Sequence, residues 1–279
     1  MIPSKATIMH ASIYNRNFLE AAKEYPDNSF DVAICDPPYN LSKGGKWNWD
    51  PSAGLPGFGG RWDKVMQDWD DMSLEEYFQF TCCWLLEVKR LVKPEGSLWI
   101  HGTYHNAGIS NFLLQLLEIE IINEVIWYKR NSFPNLAGRR LTASHESIIW
   151  AHTGKNRKYF FDYEFTKNFA DSSDQLKMPG KQMRTVWDVP NNKSRDELKY
   201  GKHPTQKPVK LIERMLRISC DSTKDIVVLS PFAGSGTDLV AASNLGLKSI
   251  GFEIDESYYD LARQRLTPSV LQQDLPLVA

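Results

Sequence analysis

The segment DPPYN follows the apolar run FDVAIC, so a carboxylate, two prolines and a tyrosine stand where a buried strand is expected to end. Pro37 and Pro38 have no backbone N–H to donate, and both fix φ. They predict a rigid corner with unpaired carbonyl groups, which Asp36 precedes and Tyr39 follows. Because carboxylates and carbonyls accept hydrogens but donate none, this corner is suited to a flat group that carries an NH2.

A second chemical signal lies in residues 227–242, VVLSPFAGSGTDLVAA, which predict a strand, a glycine loop and a helix. Gly234 and Gly236 allow a sharp turn and a close approach of a ligand to the backbone. The loop matches neither GxGxxG nor GK[ST], and it contains no lysine to bind phosphates. It therefore favours a ligand that needs backbone contact without a pyrophosphate group.

The next strand ends in GFEID, which places Glu253 about 20 residues after the glycine loop. A carboxylate at this point typically accepts hydrogen bonds from the ribose hydroxyls of a cofactor. An adenosine-bearing cofactor without a diphosphate is S-adenosylmethionine. Each feature alone would fit a structural turn or a surface acid, but the two together favour binding of this cofactor.

Alternating strands and helices are expected to position these segments. Apolar runs predict strands around residues 8–13 and at 31–36, 96–102, 121–129, 145–152, 225–230 and 248–253. Helical periodicity predicts helices at 17–25, 73–92, 106–118, 207–220, 237–246 and 256–266. This alternation predicts a doubly wound, parallel α/β sheet. Since no clear helix separates 121–129 from 145–152, we expect an antiparallel hairpin at one edge.

Composition excludes some classes of protein. The chain has 279 residues, of which 42% are hydrophobic and 24% charged, as in an ordinary globular protein. No apolar run is long enough to span a membrane, and the N-terminus lacks the core of a signal peptide, so we expect a cytoplasmic protein. The four cysteines form no CxxC pair and the histidines form no HExxH pair, which predicts no structural metal.

Charge is distributed unevenly, although the net charge is only −1. Residues 129–217 contain 19 Lys and Arg against 9 Asp and Glu. A basic segment on an acidic body is typical of a protein that binds a polyanion, and a solvated charged surface is the alternative. Within it, residues 155–202 show no periodicity and indicate an insertion. Residues 41–71, which directly follow the corner, also lack periodicity and indicate a lid.

The pairing of DPPY with FAGSGT resembles the amino-methyltransferases of DNA, which methylate adenine N6 or cytosine N4. DPPY is followed by the basic segment, then by HPTQKP at residues 203–208, then by the glycine loop, and this order is similar to that of the β group. The resemblance covers residues 8–266. It implies the Rossmann-like α/β fold of S-adenosylmethionine-dependent methyltransferases, with a mostly parallel seven-stranded sheet, one reversed edge strand and a DNA-recognition insertion.

The resemblance also divides the chain. Residues 1–154 would form the catalytic half with its lid at 41–71, residues 155–202 the target-recognition insertion, residues 203–267 the cofactor-binding half, and residues 268–279 a C-terminal tail. The catalytic residues would be Asp36, Pro37, Pro38 and Tyr39. The cofactor contacts would be Asn17, Asp36, His203, Thr205, Lys207, Phe232, Ala233, Gly234, Ser235, Gly236, Thr237 and Glu253. The candidates for contact with DNA phosphates are Lys129, Arg130, Arg139, Arg140, Lys155, Arg157, Lys158, Lys181 and Arg184.

The corner suggests how such a reaction would proceed. An exocyclic amine on a base is a poor nucleophile, because its lone pair is delocalised into the ring. Hydrogen bonds to the Asp36 carboxylate and the Pro37 carbonyl would free that lone pair. Tyr39 would stack on the base, which is worth about 1–3 kcal/mol. The base must first leave the duplex, at a cost of about a few kcal/mol.

In this family DPPY usually accompanies adenine N6 and SPPY often accompanies cytosine N4, so Asp36 favours adenine. The resemblance implies a site-specific adenine-N6 methyltransferase of double-stranded DNA, a monomer or homodimer. It would belong to a restriction system with a cognate endonuclease, or be solitary. Cytosine-N4 methylation is the alternative, because the corner would serve either amine. Methylation of a protein amide and a non-catalytic DNA-binding regulator are weaker alternatives, given Asp36 and the intact motifs.

Two positions depart from the family pattern. Ser230 stands where an Asp often precedes the Pro-Phe of the glycine loop, and Asn17 stands where an acid is expected near the adenine of the cofactor. Because Asn both donates and accepts hydrogen bonds, Asn17 could still contact the adenine.

Overall fold

The computed structural model describes residues 11–40, 72–132, 134, 139–191 and 195–266. Within them, one sheet contains eight strands in the order β1-β8-β7-β2-β3-β5-β4-β6. The strands are β1 (Ala11–Asn15), β2 (Phe30–Cys35), β3 (Val92–Gly102), β4 (Glu120–Tyr128), β5 (His145–His152), β6 (Val186–Asp188), β7 (Val227–Ser230) and β8 (Lys248–Glu253).

Strand β5 runs against the others, since it is antiparallel to β3 and β4 while the remaining pairs are parallel. The mostly parallel α/β fold and the antiparallel pairing of β4 with β5 are confirmed. Two details differ from the sequence prediction. The three-residue β6 is an eighth strand, and the reversed strand lies inside the sheet because β4 and β6 cover its outer side.

Seven α-helices lie between or after the described strands: α1 (Phe18–Ala21), α2 (Leu74–Leu91), α3 (Ala107–Leu116), α4 (Tyr163–Asn168), α5 (Val209–Ser219), α6 (Thr237–Asn244) and α7 (Glu256–Leu266). A 3-10 helix (Ala22–Glu24) continues α1. Ser73 and Glu76 cap α2 reciprocally, each side chain accepting from the backbone N–H of the other, as their spacing predicts. Every helix in this part of the chain is too short or too polar to cross a lipid bilayer.

Alternate residues of each strand pack into two different cores, because successive side chains point to opposite faces of the sheet. On one face, Ala33 and Leu98 belong to a buried cluster with residues of α2 and α3. On the other face, Ile34 and Trp99 belong to a cluster with residues of α5. Helices therefore cover both faces, and the polar residues of the site lie beyond the end of the second cluster.

The sheet order brings distant segments together. Strand β7 lies between β8 and β2, and the Asp31 carboxylate on β2 accepts a hydrogen bond from the Val227 N–H, 196 residues away, at 2.9 Å. The carboxyl ends of β2, β7 and β8 are therefore neighbours. The side of the sheet where these strands end is the edge that carries the site. Because ligands of open parallel sheets bind beyond these carboxyl ends, the corner, the glycine loop and Glu253 are placed for a common site.

The predicted lid at 41–71 and the predicted tail at 268–279 lie outside the described residues. The chain on the two sides of 41–71 is joined, however. Asn40 donates to the Met72 carbonyl and accepts from the Met72 N–H, both at 2.9 Å. The described segments before and after residues 41–71 thus meet beside the corner.

The described part of residues 155–202 packs onto the sheet. Strand β6 pairs with β4, and Trp187 joins the core beneath α5. Arg214 of α5 forms an ion pair with Asp174 at 2.7 Å, and both side chains are 2% exposed. The segment is held to the body by a buried ion pair and an aromatic anchor, and its assignment to target recognition stays a prediction.

Candidate active site

Asp36 lies one residue beyond β2, and its carboxylate is bound from two sides. Lys207 donates to both oxygens, at 2.9 Å to Oδ1 and 2.7 Å to Oδ2. The Tyr39 hydroxyl donates to Oδ1 at 2.5 Å. The Lys207 side chain is 3% exposed and that of Asp36 is 18% exposed. Lys207, which the sequence suggested as a cofactor contact, is therefore the counterion of Asp36 in this structure.

The ion pair determines which groups are charged. Burial alone would raise the pKa of Asp36, but the attraction of Lys207 lowers it below its usual value. Burial would likewise lower the pKa of Lys207, but Asp36 and Glu146 raise it. Burial and the charge of Asp36 raise the pKa of Tyr39 well above its usual value. At neutral pH the corner holds a carboxylate, an ammonium group and a neutral phenol.

The carbonyl of Pro38 is held by a residue of α2, which is held in turn by the residue before α3. The Tyr77 hydroxyl donates to the Pro38 carbonyl at 2.9 Å, and the Asn106 amide donates to the Tyr77 oxygen at 3.0 Å. Tyr77 and Asn106 are both buried. Since the Pro38 carbonyl already accepts from the protein, the Pro37 carbonyl is the better candidate to accept from a base.

Two glycines shape the loop after β7. Gly234 has a φ of 50° and Gly236 a φ of 74°, a region that residues with side chains rarely adopt. A Cβ on Gly236 would lie 2.9 Å from the Cβ of Ala262 in α7, and a Cβ on Gly234 would lie 3.4 Å from the His203 ring. The loop is thus confined between α7 and the segment that contains His203.

Arg265 of α7 braces this loop, and the sequence pattern did not indicate that role. It donates to the Ser235 carbonyl at 2.6 Å, to the Ser235 hydroxyl at 2.8 Å and to the Thr237 hydroxyl at 3.0 Å. Only 8% of Arg265 is exposed. A buried guanidinium group that binds three oxygens fixes the loop, but nothing in the local pattern of α7 reveals its partner.

Glu253 ends β8 beneath the glycine loop. Its Oε2 accepts from the Gly234 N–H at 2.7 Å, and its Oε1 accepts from the Asp255 N–H at 2.8 Å. Burial raises the pKa of Glu253, and the two N–H groups oppose that effect. Since each carboxylate oxygen has a second lone pair, Glu253 can accept from two ligand hydroxyls while it holds the loop.

A cavity of about 210 Å³ joins the corner to the glycine loop. Pro37, Pro38 and Tyr39 line it on one side, and Gly234 and Glu253 on the other. Its apolar walls are the rings of Phe18, Phe80, Phe232 and Phe252. Ala233, Ser235, Gly236 and Thr237 complete the loop, and Asp36 faces a small space beside it that Ser235 and Thr237 also line. Aromatic walls around a few polar groups suit a flat ring with hydroxyls.

The segment 203–207 passes over the glycine loop. His203 and Thr205 line the cavity, and the His203 ring packs edge to face on Tyr258 with centroids 4.2 Å apart. Asn17 lines the opposite side, where its side-chain oxygen caps α1 by accepting from the Leu19 N–H at 2.8 Å. This bond leaves the second lone pair of the oxygen and the amide hydrogens of Asn17 to contact a ligand.

Ser230 stands where the family pattern often has an acid, but a carboxylate from another element lies beside it. The Ser230 hydroxyl donates to Asp238 of α6 at 2.7 Å, and both residues are buried. Burial raises the pKa of Asp238 to about 7. This acid was not predicted, since a single Asp in the first turn of a helix ordinarily caps or faces solvent.

His101 was also not predicted. It follows Ile100, which pairs with Cys35, so His101 and Asp36 continue the two strands side by side. His101 is fully buried, and neither ring nitrogen has a hydrogen-bond partner among the residues that the structure describes. Burial lowers its pKa to about 4, so the ring is neutral at physiological pH.

The basic residues suggested for DNA contact fall at two ends of the sheet. Lys129, Arg130, Arg139 and Arg140 lie in the connection from β4 to β5, at the same edge as Asp36. Arg140 donates to the exposed Tyr104 hydroxyl at 2.9 Å. Lys129 and Arg130 already have carboxylate partners, at 2.7 Å each. The exposed arginines 139 and 140 are therefore the better candidates for phosphate contacts.

Lys155, Arg157 and Lys158 lie at the opposite edge, because they follow the reversed strand β5. Eight residues of strand separate the two edges, or about 25 Å at the usual rise per residue. Arg157 is also paired with Glu120 at 2.6 Å. These three residues do not share a surface with the corner. Lys181 and Arg184 are exposed beside the outer strand β6.

The arrangement offers acceptors, apolar walls and a cation, which can hold two ligands in a fixed relation. The thiol of Cys35 at the end of β2 is buried, and burial raises its pKa well above the usual value, so it is not a nucleophile at neutral pH. Within the described residues, no three His, Cys, Asp or Glu side chains are grouped to hold a metal ion. The absence of a metal stays a prediction.

Comparison with known proteins identifies the family of this chain. Residues 30–264 match the family described as DNA methylase. The Type II methyltransferase M2.LlaDCHI of Lactococcus lactis subsp. cremoris is 36% identical over 264 residues, which cover 94% of this chain and 89% of that protein. The structure of PvuII DNA methyltransferase (cytosine-N4-specific) aligns with a TM-score of 0.68 at 17% identity, covering 96% of this chain and 89% of that one. The M1.HpyAVI–SAM complex aligns with a TM-score of 0.59 at 23% identity, covering 92% and 100%. The chain belongs to the DNA methylase family.

Proposed function

We propose that this DNA methylase transfers a methyl group from S-adenosylmethionine to adenine N6 in double-stranded DNA. One observation carries the proposal: the Pro-Pro-Tyr part of the corner lines the same cavity as Gly234 and Glu253. Asp36 lines a smaller space beside it, and Gly234 lines both. An amine held by the corner would therefore lie beside a cofactor held by the loop. The relative from Lactococcus lactis is named a methyltransferase, and the M1.HpyAVI structure is a SAM complex.

The residues present fit this cofactor. Glu253 has lone pairs for two ribose hydroxyls, and the rings of Phe18, Phe232 and Phe252 form apolar walls for the adenine. Gly234 brings the backbone close without a side chain, and His203 covers the loop. When bound, S-adenosylmethionine supplies a methyl group whose transfer to an amine nitrogen breaks the carbon–sulfur bond, releases a thioether and leaves one amine proton to be lost.

The corner has two tasks toward the base. The Asp36 carboxylate and the Pro37 carbonyl accept from the two amine hydrogens and so aim the nitrogen lone pair. Their rigidity matters, because correct positioning of two reactants is worth about 7–11 kcal/mol of the barrier. Tyr39 lines the cavity beside them and offers a ring for stacking. Its hydroxyl bond to Asp36 at 2.5 Å fixes that ring relative to the acceptor.

Adenine is proposed over cytosine because of the acid at the start of the corner. Cytosine-N4 methylation is the second candidate, since the printed specificity of the PvuII enzyme is cytosine N4 and the folds agree. That likeness, at 17% identity, concerns the fold alone. A DNA-binding regulator without activity would not need an intact corner and an intact glycine loop that line adjoining spaces, which makes this alternative weaker.

We further propose that the edge bearing Arg139, Arg140 and Tyr104 faces the DNA, and that the target base enters the corner from that edge. The segment 155–202 would complete the recognition surface with Lys181 and Arg184. The relative's name as a Type II methyltransferase supports assignment to a restriction system with a cognate endonuclease. We infer a cytoplasmic enzyme that acts as a monomer or homodimer.

Sequencing of methylated bases in DNA from cells that express the chain tests the proposed function. The expected result is N6-methyladenine at one short recognition sequence, absent when Asp36→Ala is expressed. N4-methylcytosine at a defined sequence would replace the adenine assignment with the second candidate. Unmodified DNA, from cells in which the folded protein is abundant, would refute the activity.

A further inference from the structure

A row of polar side chains crosses five strands on the face of the sheet that α5 covers. In sheet order they are Ser230 on β7, Asp36 after β2, His101 on β3, Glu146 on β5 and Lys129 after β4. Each lies two residues from a buried residue of the same face, so the row continues the alternation of the core. Lys207, in the segment before α5, lies over the middle of this row.

The contacts of Lys207 are unequal. It donates to both oxygens of Asp36, at 2.9 and 2.7 Å, and to the Thr205 carbonyl at 3.1 Å. Glu146 Oε2 lies 3.7 Å from the same ammonium nitrogen. This oxygen is buried and has no hydrogen-bond partner among the described residues. The other oxygen, Oε1, accepts from Lys129 at 2.7 Å.

The present arrangement conflicts with the role proposed for Asp36. Two hydrogen bonds from Lys207 and one from Tyr39 occupy three of its four lone-pair sites. The amine nitrogen also becomes positive as it bonds to the methyl group, and an ammonium group on the same carboxylate would oppose that charge. Lys207 cannot simply lose its partner, however, because an unpaired charge at 3% exposure is strongly unfavourable.

We propose that Glu146 is a positioning residue that takes the Lys207 ammonium group from Asp36 when the target base enters the corner. The inference rests on the proposed function. A move of about 1 Å would shorten the 3.7 Å separation to hydrogen-bond length. The cation then keeps a buried carboxylate partner, and Asp36 faces the amine with its full negative charge.

Among the described acidic and basic side chains around Lys207, Glu146 is the one suited to accept its ammonium group in this exchange. His101 is neutral and cannot serve as a counterion. Asp238 has a pKa of about 7 and is bonded to Ser230 at 2.7 Å. Glu146 is held at its other oxygen by Lys129, so its position is fixed while Oε2 stays available. An unpaired buried acceptor beside a buried cation is costly unless another state of the site uses it.

The test compares single-turnover methyl transfer by wild type, Glu146→Gln and Glu120→Gln on a duplex that carries the sequence found in cellular DNA. Glu120, on the neighbouring strand β4, pairs with Arg157 at the opposite edge and is the matched control. We expect Glu146→Gln to lower the rate about tenfold to a hundredfold, with the Kd values for cofactor and DNA within about threefold of wild type. Glu120→Gln should match wild type.

A double-mutant cycle tests whether Glu146 acts through Lys207. In a Lys207→Met background, adding Glu146→Gln should change the rate less than about twofold, because there is no cation left to exchange. An equal loss in both backgrounds would show that Glu146 acts elsewhere and would overturn the inference. So would an unchanged rate for Glu146→Gln. Absence of transfer by wild type would refute the proposed function instead.

A structure of the complex with the duplex and S-adenosylhomocysteine decides the matter if Lys207→Met does not fold. The expected result is Lys207 within hydrogen-bond distance of Glu146 Oε2, with the target amine on Asp36. Retention of both Lys207 bonds to Asp36 while the base occupies the corner would overturn the inference.

Discussion

The assignment of Glu253 as the ribose ligand leads to a sharp prediction for Glu253→Gln. The two carboxylate oxygens accept from the Gly234 N–H at 2.7 Å and the Asp255 N–H at 2.8 Å. Glutamine keeps one acceptor and replaces the other with an NH2 group, which would face one of these two donors. The substitution therefore removes the charge that two ribose hydroxyls would meet and disturbs the turn of the glycine loop.

The expected loss follows from these contacts. A hydrogen bond to a charged group contributes about 1.5–3 kcal/mol, so loss of one such bond should raise the Kd for S-adenosylmethionine roughly 10- to 150-fold. The single-turnover rate at saturating cofactor should fall much less, because Glu253 holds the cofactor and does not contact the amine. The effect should therefore lie in cofactor affinity.

Calorimetric titration with S-adenosylmethionine measures this Kd. Glu256→Gln is the matched control, since it makes the same change on an exposed residue in the first turn of α7. Thermal melting of both variants separates loss of binding from loss of fold. A Kd for Glu253→Gln that equals the control value, in a protein that melts like wild type, would refute the assignment.

Three further predictions follow. Asp36→Ala should lower the single-turnover rate about 10²- to 10³-fold while the Kd for the cofactor changes less than about threefold; a loss confined to cofactor affinity would contradict its role at the base. Asp238→Asn should make the protein more stable than wild type above pH 7. The pKa of Asp238 is about 7 in the folded protein against 3.8 in the unfolded chain, so wild-type stability falls by at most about 4 kcal/mol as pH rises between these two values. Denaturant unfolding across that range should show a flatter profile for the variant, and parallel profiles would exclude the effect. DNA affinity should fall steeply with salt, and Arg139→Gln and Arg140→Gln should each reduce the slope of log K against log salt by about 1. Lys155→Gln and Lys158→Gln, at the opposite edge, should leave this slope unchanged. The reverse ranking would show that DNA binds at the edge of Lys155 and Lys158 instead.

Local patterns predicted much of the fold. The bounds of β5, β8 and α7 are as predicted, and the capping box of α2 was read from two residues. Apolar alternation and helix caps are local signals, so they are visible in the sequence. The expected helix at 17–25 instead ends at Ala21 and continues as a 3-10 turn.

The features that the sequence did not predict depend on contacts between residues that are far apart in the chain. The predicted strand 145–152 already separates Arg139 from Lys155 by its length, so grouping the two by charge alone was wrong. The sequence did not indicate that β5 lies between β3 and β4. The bond between Lys207 and Asp36 joins residues 171 apart, and Arg265 reaches the glycine loop across 30 residues. Such partners are fixed by strand order and helix packing, which composition and periodicity do not reveal.

The geometry of the site and the packing of the core share one register. Asp36 continues the alternation of Ile34, and His101 continues that of Trp99, which pairs with Ile34 across the two strands. A slip of one residue in β2 would turn Ile34 to the opposite face and remove Asp36 from Lys207 at the same time. The position of the catalytic acid is therefore secured by the burial of apolar side chains beside it. The order in which the corner and the glycine loop occur along the chain has little effect on the site, because strands that are distant in sequence end at the same edge of the sheet.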